Sequence, residues 1–106
     1  MAISKNNVKI TKLIMEYAKK NNIKLDINEK GKEEGWYPLL SAIGQNKIEM
    51  TKLIMDYANG KNTILNLNDK NENGWRPFLM AILMNNVEIT QLIIDYANYT
   101  IRSFNF

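Results

Sequence analysis

Gly35-Trp36-Tyr37-Pro38-Leu39-Leu40-Ser41-Ala42-Ile43 returns as Gly74-Trp75-Arg76-Pro77-Phe78-Leu79-Met80-Ala81-Ile82. Each copy is a turn glycine, an aromatic residue, a proline and a short apolar run. Proline suits the first turn of a helix, where its missing amide has no intrahelical acceptor to lose. Each copy is followed by an asparagine, Asn46 or Asn85, and then by a longer amphipathic segment. So tight a joint needs a residue that reaches positive φ, and asparagine is the usual substitute for glycine there.

The longer segment occurs three times. Thr51-Lys52-Leu53-Ile54-Met55-Asp56-Tyr57-Ala58 matches Thr11-Lys12-Leu13-Ile14-Met15-Glu16-Tyr17-Ala18 at a shift of 40, and Thr90-Gln91-Leu92-Ile93-Ile94-Asp95-Tyr96-Ala97 at a shift of 39. The one-residue difference falls in a loop, where Gly31-Lys32-Glu33-Glu34 stands against Asn71-Glu72-Asn73. Loops absorb insertions cheaply, so the register is secure. Ile10, Leu13, Ile14, Tyr17 and Ala18 follow the spacing of a one-sided helix, and their counterparts repeat it. Glu49 and Glu88 sit where the first-turn amides favour an anion, and Lys9 holds that place in the first unit.

The short helices opened by Pro38 and Pro77 are expected to end near Gln45 and Met84. Helices of about two turns do not stand alone in water, so packing against the longer ones must hold them. Between units lie Asn21 to Glu34 and Lys61 to Asn73, each with a brief apolar alternation. Leu25, Ile27, Leu65 and Leu67 are expected to point inward from extended arms. The tail from Thr100 to Phe106 is expected to be a shortened third arm. The expectation is an all-α solenoid: short helices in one layer, long helices in a second, arms along one edge.

Length accommodates one domain over residues 1–106, divided into a partial unit 1–34 and units 35–73 and 74–106. Ala2-Ile3 and Asn6 align with Ala42-Ile43 and Asn46, so the chain opens in the middle of a unit. A fragment of a longer repeat protein is the expected explanation, ahead of a truncated capping unit.

Composition narrows the chemistry. There is no Cys and no His, which removes thiolate chemistry and the commonest neutral-pH base and metal ligand. No P-loop, dinucleotide fingerprint, EF-hand or zinc spacing occurs, and no cofactor is expected. Glu16, Asp56 and Asp95 recur at one helical position, as charges that keep an outer face wet. Tyr17, Tyr57 and Tyr96 recur likewise and are expected to be core tyrosines with hydroxyls at the layer edge. A net charge of +3 with interspersed signs makes a weak case for nucleic acid, for which Lys5, Lys9, Lys12, Lys19 and Lys20 are the only candidates. No apolar run reaches membrane-spanning length, and the first residues do not read as a signal peptide, which points to the cytoplasm.

The pattern resembles the ankyrin repeat. Asn71-Glu72-Asn73-Gly74-Trp75-Arg76-Pro77-Phe78-Leu79, Ala81-Ile82 and Glu88-Ile89-Thr90-Gln91-Leu92-Ile93-Ile94 follow that family's order of turn, short helix and long helix. Leu67-Asn68 and Ile27-Asn28 stand where the family has Val-Asn. There are departures. Tyr37 and Arg76 replace the threonine that caps the short helix, Leu40 and Leu79 replace a histidine, and the unit exceeds the family's roughly 33 residues.

The resemblance implies a non-catalytic scaffold that binds an unknown protein through its arm tips and the exposed side of the short helices. Carried onto this chain, that surface is Trp36, Tyr37, Ser41 and Gln45, with Trp75, Arg76, Met80 and Met84. Trp, Tyr, Arg and Met are types that dominate the energetic centres of interfaces. A purely structural segment of a longer repeat protein is the alternative. The all-apolar run Phe78 to Met84 adds the expectation of an exposed patch at Met80, Leu83 or Met84, and of self-association through an exposed repeat end.

Overall fold

The structure is a computed structural model that describes residues 7–60 and 63–104, with side chains as far as Thr100. Among the described residues five helices follow in order: α1 (Val8–Lys20), α2 (Pro38–Gly44), α3 (Ile48–Gly60), α4 (Pro77–Met84) and α5 (Val87–Phe104). No strand occurs among the described residues. Pro38 and Pro77 open the short helices, and the residues before them, Tyr37 and Arg76, make no side-chain cap bond. That is the consequence of losing the family's threonine.

Asn46 (φ +60°) and Asn85 (φ +53°) make the joints between short and long helix. Asn6, their counterpart in the first unit, lies outside the described residues. The third long helix opens on a side-chain cap, with the Ile89 amide donating to Asn86 Oδ1 at 2.9 Å. The first does the same, the Ile10 amide donating to Asn7 Oδ1 at 3.1 Å.

The helices form two layers. α2 packs on α4, while α3 lies between α1 and α5. Each short helix also packs on the long helix that follows it, α2 on α3 and α4 on α5. Leu39, Leu40 and Ile43 from α2, Met50 and Ile54 from α3, and Ile89 and Ile93 from α5 are fully buried between the layers. Leu53 and Leu92 are half-buried and pack against this core. Apolar area removed from water is the main stabilising contribution, and here it comes from contacts both within each unit and between units.

The arms carry their own anchors. Ile27 and Leu65 are buried, and Leu25 and Leu67 pack against the core. Tyr57 accepts a bond from the Leu25 amide at 3.2 Å, and Tyr96 accepts one from the Leu65 amide at 3.1 Å. Each tyrosine thus pins the arm of the unit before it. Tyr17 departs from the expected pattern: it is 64% exposed, against 4% for Tyr57 and for Tyr96. No arm lies against it among the described residues.

Neighbouring arms also bind each other. Asn28 Nδ2 donates to the Ile64 carbonyl at 2.8 Å, and Asn28 Oδ1 accepts from the Asn66 amide at 3.1 Å. The Glu72 amide donates to the Glu34 carbonyl at 2.9 Å, which joins the two turns on one edge.

The tail differs from its expectation. Instead of leaving as a third arm at Thr100, the chain continues as α5 to Phe104, and residues 105–106 lie outside the description. α1 and α3 end at the equivalent positions Lys20 and Gly60, whose counterpart in α5 is Tyr99, and α5 continues past it. Thr100 is buried and donates its hydroxyl to the Tyr96 carbonyl at 2.9 Å within the helix.

Candidate protein-binding surface

The first turn is shaped by two consecutive left-handed residues, Glu34 (φ +60°) and Gly35 (φ +70°). The Gly31 amide donates to the Trp36 carbonyl at 2.6 Å and closes the loop. Trp36 is then laid against α2 at Gly44, where an added Cβ would stand only 3.3 Å from the indole ring. Glycine at this position is what lets the indole approach the helix so closely.

Glu34 organises the surroundings. Its carboxylate Oε2 accepts from Trp36 Nε1 at 3.2 Å and from Asn73 Nδ2 at 3.3 Å. It thereby fixes the tryptophan and ties the first turn to the second. The result is a groove of about 610 Å³ lined by Gly31, Lys32, Glu33, Trp36, Ser41, Gly44 and Gln45. Gln45 Nε2 donates to Ser41 Oγ at 3.1 Å across one helical turn. The lining combines an aromatic face, a hydroxyl, an amide and one charge of each sign.

Of the residues expected from sequence, Trp36, Ser41 and Gln45 line one groove, with Trp36 half-buried and Gln45 exposed, whereas Ser41 is buried like its counterpart Met80, against the expectation that it lies on the exposed side. Tyr37 does not join them. It is 1% exposed, and its hydroxyl is directed to the carbonyls of Asn66 and Asp69 in the second arm. Burial, with the Asp69 carboxylate adding to it, pushes the phenol well above its ordinary value, so it stays a protonated donor. Tyr37 is an anchor for the neighbouring arm, and its expected place on an exposed surface is corrected accordingly.

The second unit is built differently. Asn71 Oδ1 accepts from the amides of Asn73 and Trp75, both at 3.0 Å, and holds the turn. Trp75 is half-buried and Arg76 is exposed. Met84 is half-buried, but Met80 is buried and comes within reach of Gly44 on α2. Met80 is thus core, against the expectation of an exposed patch there. Leu83, also expected in that patch, is exposed, together with Phe78, Leu79 and Ile82. Leu83 stands at the place of Gly44, so the close seat that receives Trp36 has no equivalent in the second unit.

Sequence reasoning missed Glu34, Gly31, Lys32, Glu33 and Gly44. A signal for them exists: the extra residue of the first loop falls among positions 31–34, and glycine replaces leucine between the two short helices at position 44.

Among the described residues no cluster of carboxylates could hold a metal ion, and no helix is long and apolar enough to cross a membrane. Comparison with known proteins adds two findings. A family model described as "Ankyrin repeats (3 copies)" matches residues 1–103. No curated protein matches the chain.

Proposed function

Because this chain belongs to the ankyrin-repeat family, a family of non-catalytic interaction scaffolds, we propose that it binds a partner protein through its turn tips and the exposed side of its short helices. The observation that carries the reading is the Trp36 groove, where turn and short helix supply one continuous lining. Trp36 is the anchor: a large, half-buried aromatic surface already held by Glu34 and Gly44, so little conformational freedom is lost when a partner covers it. Gln45, exposed beside it and bonded to the buried Ser41, supplies polar specificity. Arg76 extends the surface as an exposed cation, and Trp75 and Met84 add partly covered apolar area. Tyr37 and Met80 support the surface from below and make no contact with the partner.

Selection of peptides from a displayed random library against the whole chain tests this. Enriched peptides are expected to lose about tenfold or more in affinity on Trp36→Ala, the loss typical of a central aromatic anchor. They are expected to bind the Lys24→Ala variant, altered on an exposed arm residue outside the groove, as before. Peptides that bind the Trp36→Ala chain undiminished would overturn the assignment.

A further inference from the structure

Two stretches of the sequence join asparagine directly to glycine, Asn59-Gly60 and Asn73-Gly74. In such a pair the glycine nitrogen can close a five-membered ring on the asparagine side-chain carbonyl carbon. Glycine has no Cβ to block the approach, and its backbone torsions are freer than those of any other residue. Closure then depends on whether the fold lets the two atoms meet.

The fold treats the two pairs differently. Asn59 and Gly60 belong to α3. A helix fixes the torsions of its residues and ties their amides into its ladder, which holds the asparagine carbon away from the next nitrogen. Asn73 and Gly74 lie in the turn before α4, and both are exposed. Gly74 has φ +83°, and its amide donates to the Asn71 carbonyl at 3.0 Å. That exposed turn bond is the one the nucleophile must give up. The Asn73 amide, held by Asn71 Oδ1 at 3.0 Å, takes no part.

The Asn73 side chain also has a task. Its Nδ2 donates to Glu34 Oε2 at 3.3 Å, the same oxygen that accepts from Trp36 Nε1 at 3.2 Å. It is the donor half of a tie between the two turns, alongside the backbone bond from the Glu72 amide to the Glu34 carbonyl at 2.9 Å. Replacing this amide nitrogen by oxygen removes the donor and sets a second carboxylate against the first. Like charges so placed repel, modestly where water screens them.

We propose that Asn73 is a site of spontaneous deamidation, and that the reaction releases the tie between the two turns. The Gly74 amide loses its proton to hydroxide, and its nitrogen forms a bond to Asn73 Cγ. The bond from Cγ to Nδ2 breaks, and Nδ2 leaves as ammonia after taking a proton from water. The product is a succinimide ring. Water adds to one of its two carbonyl carbons and opens it, giving aspartate or isoaspartate and returning the proton to the Gly74 nitrogen. The sum is one water consumed and one ammonia released, with no oxidation. Both products carry a carboxylate opposite Glu34. The isoaspartate also routes the main chain through the side-chain carbons, which lengthens the turn. The site stands without the binding reading; only its bearing on Trp36 as a partner's anchor rests on that reading.

The whole chain, kept for weeks in warm, mildly alkaline buffer and mapped by peptide mass spectrometry, tests the site. Asn73 is expected to convert roughly tenfold or more faster than Asn59, because rates fall steeply when reacting atoms are held out of attack geometry. Asn73→Gln is expected to bring conversion at this position down to background, since its ring would need six members. Hydrogen exchange of the Glu72 amide and the Trp36 indole N–H reads the consequence. In Asn73→Asp both are expected to exchange roughly two- to tenfold faster, as for loss of one exposed hydrogen bond, with the rest of the chain unchanged. Conversion at Asn59 as fast as at Asn73, conversion at neither, or exchange in Asn73→Asp that is unaltered or faster throughout the chain would each overturn the proposal.

Discussion

α1 and α3 share an eight-residue stretch that differs only in Glu16 against Asp56, yet the two helices sit in different surroundings. Leu13 is 59% exposed, while Leu53 packs against the core. The Tyr17 hydroxyl bonds no described residue, while the Tyr57 hydroxyl holds the first arm. Both helices have the same apolar stripe, so periodicity cannot be the cause. What differs is the unit stacked in front: α3 has α1 and its arm there, and α1 has no described neighbour on that side. In a repeat stack the same residue is structural in one unit and surface in another, and its energetic weight follows the neighbour.

The sharpest way to break this comparison is truncation of the paired tyrosines. Tyr57→Ala is expected to cost about 3–5 kcal/mol, as for other large aromatic truncations in a core, and to free the first arm. Tyr17→Ala is expected to stay within about 0.5 kcal/mol, as at other surface positions. Urea unfolding midpoints of the two variants check this, and equal losses would show that exposure does not govern the contribution.

A second pair, Tyr37 and Arg76, occupies one turn position in two units, buried in the first and exposed in the second. Tyr37→Phe is expected to cost about 1–3 kcal/mol, because the carbonyls of Asn66 and Asp69 lose their donor. The pH dependence has a definite sign. The folded phenol titrates above its ordinary value of 10.0, so the folded state retains a proton that the unfolded chain releases. Stability is therefore constant with respect to this group below about pH 10, and declines as pH rises beyond that. Removing the phenol is expected to flatten this decline, measured by urea unfolding at a series of alkaline pH values.

The smallest expected effect compares Thr11 with Thr51, both fully buried. Thr51 donates its hydroxyl to the Lys47 carbonyl at 2.8 Å, whereas the Thr11 hydroxyl has no partner among the described residues. Thr51→Val is expected to cost about 1 kcal/mol, and Thr11→Val to be neutral or to stabilise by up to about 1 kcal/mol, since an unsatisfied buried hydroxyl is removed. Thermal unfolding of the two valine variants resolves the difference in sign.

The sequence placed α2 through Pro38 and the apolar run; of the three residues expected on its exposed side, Trp36 is half-buried and Gln45 exposed, while Ser41 is buried. Tyr37 was not legible, because neighbouring residues at a turn point to opposite sides and only the second arm, about 30 residues away, decides which is covered. Met80 against Leu83 was equally closed to local reading. In an all-apolar helix the pattern marks no face, so the packing of α2 on α4 makes the choice.

The amino-acid order by itself determined the repeat, its register, the starts of the short helices at proline, the asparagine joints and the long helices' apolar stripes. These are short-range matters of backbone geometry and periodicity, settled within a few residues. Tertiary structure alone decided which two of three equivalent tyrosines hold an arm, which turn residue is an anchor, how far the last helix runs, and which apolar faces stay uncovered. Those outcomes depend on groups that lie a whole unit away along the chain, and burial is a property of the pair rather than of either sequence segment.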